Sequence, residues 1–102
     1  MVNCQEPQLR LVRFQNIFKH NLSLEYFEID NQSAQHAGHY TGDGETHWRV
    51  LLVAKEFHGL SRVQRHQKIN ELVKHEFEKG LHALSLQLFD LEEWKLKKET
   101  HF

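Results

Sequence analysis

The chain has 102 residues, 39% apolar and 26% charged, with a formal net charge of −1. That length and balance fit one domain spanning residues 1–102 with a modest core, about residues 8–94, and exclude a disordered chain. They also exclude a global basic field, so any nucleic-acid binding needs a local patch. Cys4 is the only cysteine, which rules out an internal disulfide framework, a CxxC redox pair and a self-contained thiolate cluster site. No apolar run approaches the roughly 20 residues that span a bilayer, and no secretory signal pattern is present. The triplets Asn21-Leu22-Ser23 and Asn31-Gln32-Ser33 are therefore read as chance matches to the glycosylation pattern. The expected compartment is the cytoplasm or the mitochondrial matrix. The opening stretch, with Arg10, Arg13 and Lys19 against Glu6 alone, has a presequence-like charge bias, but is read as the first helix.

In chain order, that first helix runs from Pro7 to about His20, with Leu11, Phe14, Ile17 and Phe18 forming its apolar stripe. Leu24 to Ile29 is rich in strand formers and runs into the turn signal Asp30-Asn31. Residues 31–45 form a long loop with Gly38, Gly42 and Gly44, and hold His36 and His39. Trp48 to Ala54 is apolar on both alternating faces, as a central strand covered on both sides would be. Ser61 and Gln64 have capping-box spacing, and open a helix that continues through Ile69, Leu72, Val73, Glu76 and Phe77 to a stop at Lys79-Gly80. A break near Gln67–Asn70 would divide it in two. Leu84, Leu86 and Leu88 alternate with Ser85 and Gln87, which predicts an edge strand with one buried face. Asp90 caps a last helix containing Leu91, Trp94 and the basic run Lys95–Lys98.

The order α-β-β-α-α-β-α predicts an α+β fold. Consecutive strands one and two should pair antiparallel, while strands two and three, joined through helix, should pair parallel by a right-handed crossover. A three-stranded mixed sheet follows, with its most apolar strand central and helices packed on it. The topology also has a chemical consequence. The loop ends where the second strand begins, and a parallel third strand begins at that same end, with His82 in Gly80-Leu81-His82-Ala83-Leu84. A loop histidine and His82 are thus expected at one edge, as half of a metal site. Two imidazoles are thin for zinc, which takes four ligands or three plus water, so missing ligands would come from another molecule. With nine histidines in the chain, solvated side chains without a task remain the alternative.

Residues 45–89 resemble the BolA family closely. The resemblance rests on Glu45-Thr46-His47-Trp48-Arg49-Val50, Phe57-x-Gly59-Leu60-Ser61, Arg65-His66 and His82-Ala83-Leu84, with Asn31-x-Ser33 followed by His36. It covers about residues 8 to 94 and implies a type II KH-like fold. It implies as well a partnership with a monothiol glutaredoxin, as a heterodimer bridged by a [2Fe–2S] cluster, in iron–sulfur cluster assembly, trafficking or iron regulation. In that arrangement glutaredoxin and glutathione supply thiolates, and this chain supplies His82 and a loop histidine. His36 matches by position. The loop is a couple of residues longer than the family pattern and adds His39 as the alternative. Alone, the chain is expected to be a monomer without cofactor.

Other residues receive plainer readings. His66 is expected to make a structural polar contact, and His47 to belong to the framework while remaining a reserve ligand. Phe77 and Trp94 are expected to pack, and Lys95–Lys98 to be a solvated helix face. A DNA-binding transcriptional regulator is one alternative function, through a small basic cluster of Arg62, Arg65 and Lys68, although no GxxG loop is present to clamp a nucleic-acid backbone. A metal-free protein adaptor is another. No nucleophile–base pair, carboxylate pair or phosphate loop can be assembled, so the chain is not expected to be an enzyme.

Overall fold

A computed structural model of the protein describes residues 9–32 and 46–99. The elements are α1 (Leu9–Asn21), β1 (Leu24–Asn31), β2 (His47–Ala54), a 3-10 turn (Lys55–Phe57), α2 (Arg62–Leu72), α3 (Lys74–Glu78), β3 (Ala83–Phe89) and α4 (Leu91–Glu99). The sheet order is β1-β2-β3. β1 runs antiparallel to β2, and β2 parallel to β3. This is the α+β arrangement that the sequence predicts, with β2 central. Among the described residues no helix is long and apolar enough to cross a membrane. Cys4, Pro7 and the loop segment 33–45 lie outside the described residues.

One face of the sheet carries the core. Phe27, Leu52 and Leu88 share a rank across the three strands, as do Ile29, Val50 and Leu86. Phe14 and Phe18 of α1, Ile69 of α2 and Val73 are fully buried against this face. Phe14 meets the edge of Trp48 at 5.4 Å and stacks on Phe18 at 5.7 Å, so helix one is fixed to the start of β2 by aromatic packing.

The opposite face is covered only toward the Ala54 end. There Tyr26, Val53 and Phe89 form a rank, and Trp94 of α4 stacks on Tyr26 at 5.2 Å and lies 5.7 Å from Phe89. Nearer the start of β2, Arg49 is half-exposed and reaches Asp30 and Gln87, each at 3.3 Å. The expectation of a strand covered on both sides along its length is corrected by that arginine. A single nine-residue helix covers one end of the face, and polar side chains fill the other.

The long helix breaks at Val73, later than the sequence suggests. Ser61 and Gln64 do form the reciprocal capping box. Val73 leaves helical geometry at φ −109°, ψ 14°. Its N–H still bonds Ile69 O at 3.1 Å, and its carbonyl accepts from Glu76 N–H at 2.9 Å, so an α-turn closes and a tighter turn opens α3. The inward face carries on across the break, with Ile69, Val73 and Glu76 all buried. Glu76 is inward, as its place in the helical period predicts, whereas Phe77, expected to pack, is 42% exposed.

Candidate metal centre

The approach to His82 is fixed by its flanks. Glu76 is buried at the start of this approach and accepts from Arg10 Nε at 2.8 Å and from Arg13 Nε at 2.6 Å. Arg10 Nη2 also donates to Lys79 O at 2.9 Å, so α1 grips the end of α3. Burial pushes the Glu76 carboxyl upward, but the hydrogen bonds and charges of Arg13 and Arg10 outweigh it and hold the group below its ordinary value. Gly80 then turns the chain at φ +109°, where side chains are disfavoured, and Leu81 N–H bonds back to Glu76 O at 3.0 Å.

Thr46 receives the other side. Its carbonyl accepts from His82 N–H at 2.8 Å and from Ala83 N–H at 3.0 Å, tying the start of β3 to the start of β2. Gln32 N–H bonds His47 O at 2.7 Å. The two described residues flanking segment 33–45 therefore sit beside the backbone that carries His47 and His82. His82 is exposed, and His47 is half-buried. Their rings face one another nearly edge-on, with centroids 6.1 Å apart and planes at 78°. His47 Nδ1 lies 2.9 Å from Thr46 Oγ1.

The sequence expectation thus divides. His82 stands at the sheet end that the topology predicts. His36 and His39, the expected loop ligands, lie outside the described residues. His47, read as framework and as a reserve ligand, is the imidazole that the fold brings beside His82. Thr46 was missed, because a double-accepting carbonyl has no signature in residue type. Among the described residues, no group of three or more His, Cys, Asp or Glu side chains converges to hold a metal.

The basic cluster needs correction. Arg62 and Lys68 are exposed, but Arg65 is only 8% exposed. Its guanidinium donates to Leu60 O, Leu88 O and the Glu93 carboxylate, at 3.0, 3.2 and 2.6 Å. Arg65 precedes Ile69 by four residues and so shares its inward helix face, a spacing already visible in the sequence. Arg65 thereby joins α2 to the end of β3 and the start of α4. Glu93 is held below its ordinary value, first by Arg65. Asp90 is held below its own, first by the Glu93 N–H bond, with His58 and Arg65 adding to it. His66 Nδ1 contacts Arg62 O at 2.9 Å, the local polar contact anticipated for it.

Comparison with known proteins agrees with this architecture. The family model described as BolA-like protein matches residues 18–93. An uncharacterized Sinorhizobium protein from the cobS 5′ region is 48% identical over 66 residues, covering 62% of this chain and 71% of its own. The DNA-binding transcriptional regulator BolA of Haemophilus influenzae is 39% identical over 75 residues, covering 74% of this chain and 71% of its own. Among solved structures, the BolA domain of SufE1 from Arabidopsis thaliana superposes with a TM-score of 0.77 at 36% identity, covering 83% of this chain and 95% of that one.

Proposed function

The chain belongs to the BolA-like family, and from that premise we propose that it partners a monothiol glutaredoxin, giving His82 as its first ligand to a shared [2Fe–2S] cluster. The supporting observation is an exposed imidazole on backbone pinned by the Thr46 carbonyl, at the sheet end where both flanks of segment 33–45 return. The donor set is compatible with the group. Imidazole nitrogen is a competent iron ligand, and the chain's single cysteine, Cys4, leaves the thiolates to glutaredoxin and glutathione. Replacing thiolate by imidazole lowers the cluster's negative charge and raises its reduction potential. The second ligand is His36, with His39 as its alternative. In this reading the role is assembly or trafficking of clusters, or iron regulation, in the cytoplasm or mitochondrial matrix.

Reconstitution with a monothiol glutaredoxin, glutathione, iron and sulfide tests the proposal by visible circular dichroism. A spectrum distinct from that of the glutaredoxin homodimer is expected, lost in His82→Ala and weakened in His36→Ala. An unchanged spectrum in His82→Ala overturns the assignment. Complex formation without iron, undiminished in His82→Ala, supports the adaptor role instead.

A second reading, DNA binding, is favoured by the name of the Haemophilus influenzae relative. Arg62 and Lys68 are the exposed cations left for it once Arg65 is buried. A binding constant that falls steeply with salt, with a shallower slope when both are neutralised, supports it, and no binding at low salt removes it.

A further inference from the structure

The outer edge of β3 carries backbone groups that the fold leaves open to another strand. Ala83 N–H bonds Thr46 O at 3.0 Å, and the parallel register runs on to Phe89 beside Val53. In such a pair alternate residues face the neighbouring strand. The N–H and C=O groups of Ala83, Ser85, Gln87 and Phe89 therefore point to β2, and those of Leu84, Leu86 and Leu88 point outward. Arg65 agrees with that direction, since its Nη1 reaches Leu88 O at 3.2 Å from α2. That bond closes the open edge at its far end. No described strand lies beyond β3, and the outward N–H and C=O groups of Leu84 and Leu86 have no partner among the described residues.

We propose that this edge is a strand-addition site for an extended acidic segment of a partner protein, with its backbone on Leu84 and Leu86 and its carboxylates at Arg62 and His66. The site goes beyond the cluster reading, because it uses neither His82 nor segment 33–45. An open edge is a template for a further strand, and strand addition draws affinity from main-chain hydrogen bonds and selectivity from every second side chain. The space is present. A groove of about 310 Å³ runs beside the edge, lined by Arg62, His66, Leu86, Gln87, Leu88 and Phe89.

Charge chooses the occupant. Arg62 is exposed and His66 half-buried, and no carboxylate lines this groove. Both belong to α2, which packs on the core face, the side to which Leu86 and Leu88 also project. Side chains of an added strand alternate between faces. Every second one thus lies beside Leu86 and near Arg62, where a glutamate rests its methylenes on leucine and its carboxylate on the guanidinium. The intervening side chains lie beside the exposed Ser85 and Gln87 and are polar. A second copy of this chain would bring the same cations to the groove, whereas an acidic segment complements them. Single-stranded nucleic acid is also anionic, but the edge offers donors and acceptors at a two-residue repeat of roughly 7 Å, the spacing of another peptide backbone.

The test uses the full chain, isotope-labelled and without glutaredoxin, iron or sulfide. The probe is a capped hexapeptide alternating glutamate and threonine, followed by nuclear magnetic resonance. Leu84 and Leu86 amides should exchange rapidly in the free chain and at least about tenfold more slowly with peptide bound, while the corresponding lysine–threonine peptide gives no protection. Two further probes carry N-methyl groups, one on its glutamates and the other on its threonines. One should lose binding and the other keep it, because only one set of peptide N–H groups can face β3. Arg62→Glu should weaken binding at least about tenfold, and His82→Ala should bind as the native chain does, which separates this site from the cluster reading. Absence of protection at Leu84 and Leu86 overturns the proposal, as does binding retained by both methylated peptides. Protection that grows with the concentration of the chain itself overturns it in favour of a second copy, and protection by oligothymidylate but not by the acidic peptide overturns it in favour of nucleic acid. The methylated peptides leave the protein unaltered, so the test stands even where a variant fails to fold.

Discussion

The carboxylate of Glu76 sits between two guanidinium groups, and burial makes that arrangement consequential. Arg10 and Glu76 are 1% and 2% exposed, so neither charge can be hydrated when its partner is lost. Removing one member of a buried pair costs about 3–5 kcal/mol. Glu76→Gln should lower stability by that order in urea denaturation at pH 7. The same measurement has a pH signature. Because the folded carboxyl is held below its ordinary value, its contribution is complete above the unfolded pKa of about 4.3. It is lost as pH falls through the folded value. Native stability should therefore decline below about pH 4.5, and Glu76→Gln should flatten that part of the decline.

At the scale of elements, the start of α4 depends on a reciprocal cap. Asp90 Oδ1 accepts from Glu93 N–H at 2.8 Å, and Glu93 Oε1 accepts from Asp90 N–H at 2.9 Å. Loss of such a cap costs about 1 kcal/mol. Asp90→Ala should speed amide exchange throughout α4 while leaving β2 amides protected. The cap was legible in the sequence because Asp90 precedes an apolar-periodic segment with Glu93 three residues on. The strands were legible for a similar reason, since the run Trp48–Ala54 and the alternation of Leu84, Leu86 and Leu88 are local patterns. The break at Val73 was not. Val73 stands within an apolar-periodic run that holds no glycine or proline between Arg62 and Lys79, so nothing in the residue pattern marks its departure from helical geometry. Arg65 lay between these cases, with its inward position implied by spacing to Ile69 and obscured by its charge.

At the scale of the molecule, the two polar constellations lie at opposite ends of one sheet. Thr46, His47 and His82 gather where β2 and β3 begin, and Arg65, Asp90 and Glu93 gather where β3 ends. Strands of this length separate the ends by roughly 20 Å, far enough for effects to add independently. Trp94→Ala should uncover the rank of Tyr26, Val53 and Phe89 and cost about 2–3 kcal/mol in thermal or urea unfolding. This division also explains what could be read of the site in advance. The meeting of β2 and β3 follows from the parallel crossover, which placed His82 correctly. The choice among neighbouring histidines depends on side-chain directions at the strand ends, and spacing carries no information about those.

The shared acceptor at Thr46 makes this end of the molecule observable without altering either histidine. Its carbonyl carbon and the amide protons of His82 and Ala83 are joined by two hydrogen bonds. Resonances of these three backbone groups should move together whenever either strand end is disturbed. In an isotope-labelled native chain they form a built-in reporter, able to register a metal, a partner or a displaced neighbouring segment with every donor atom left in place.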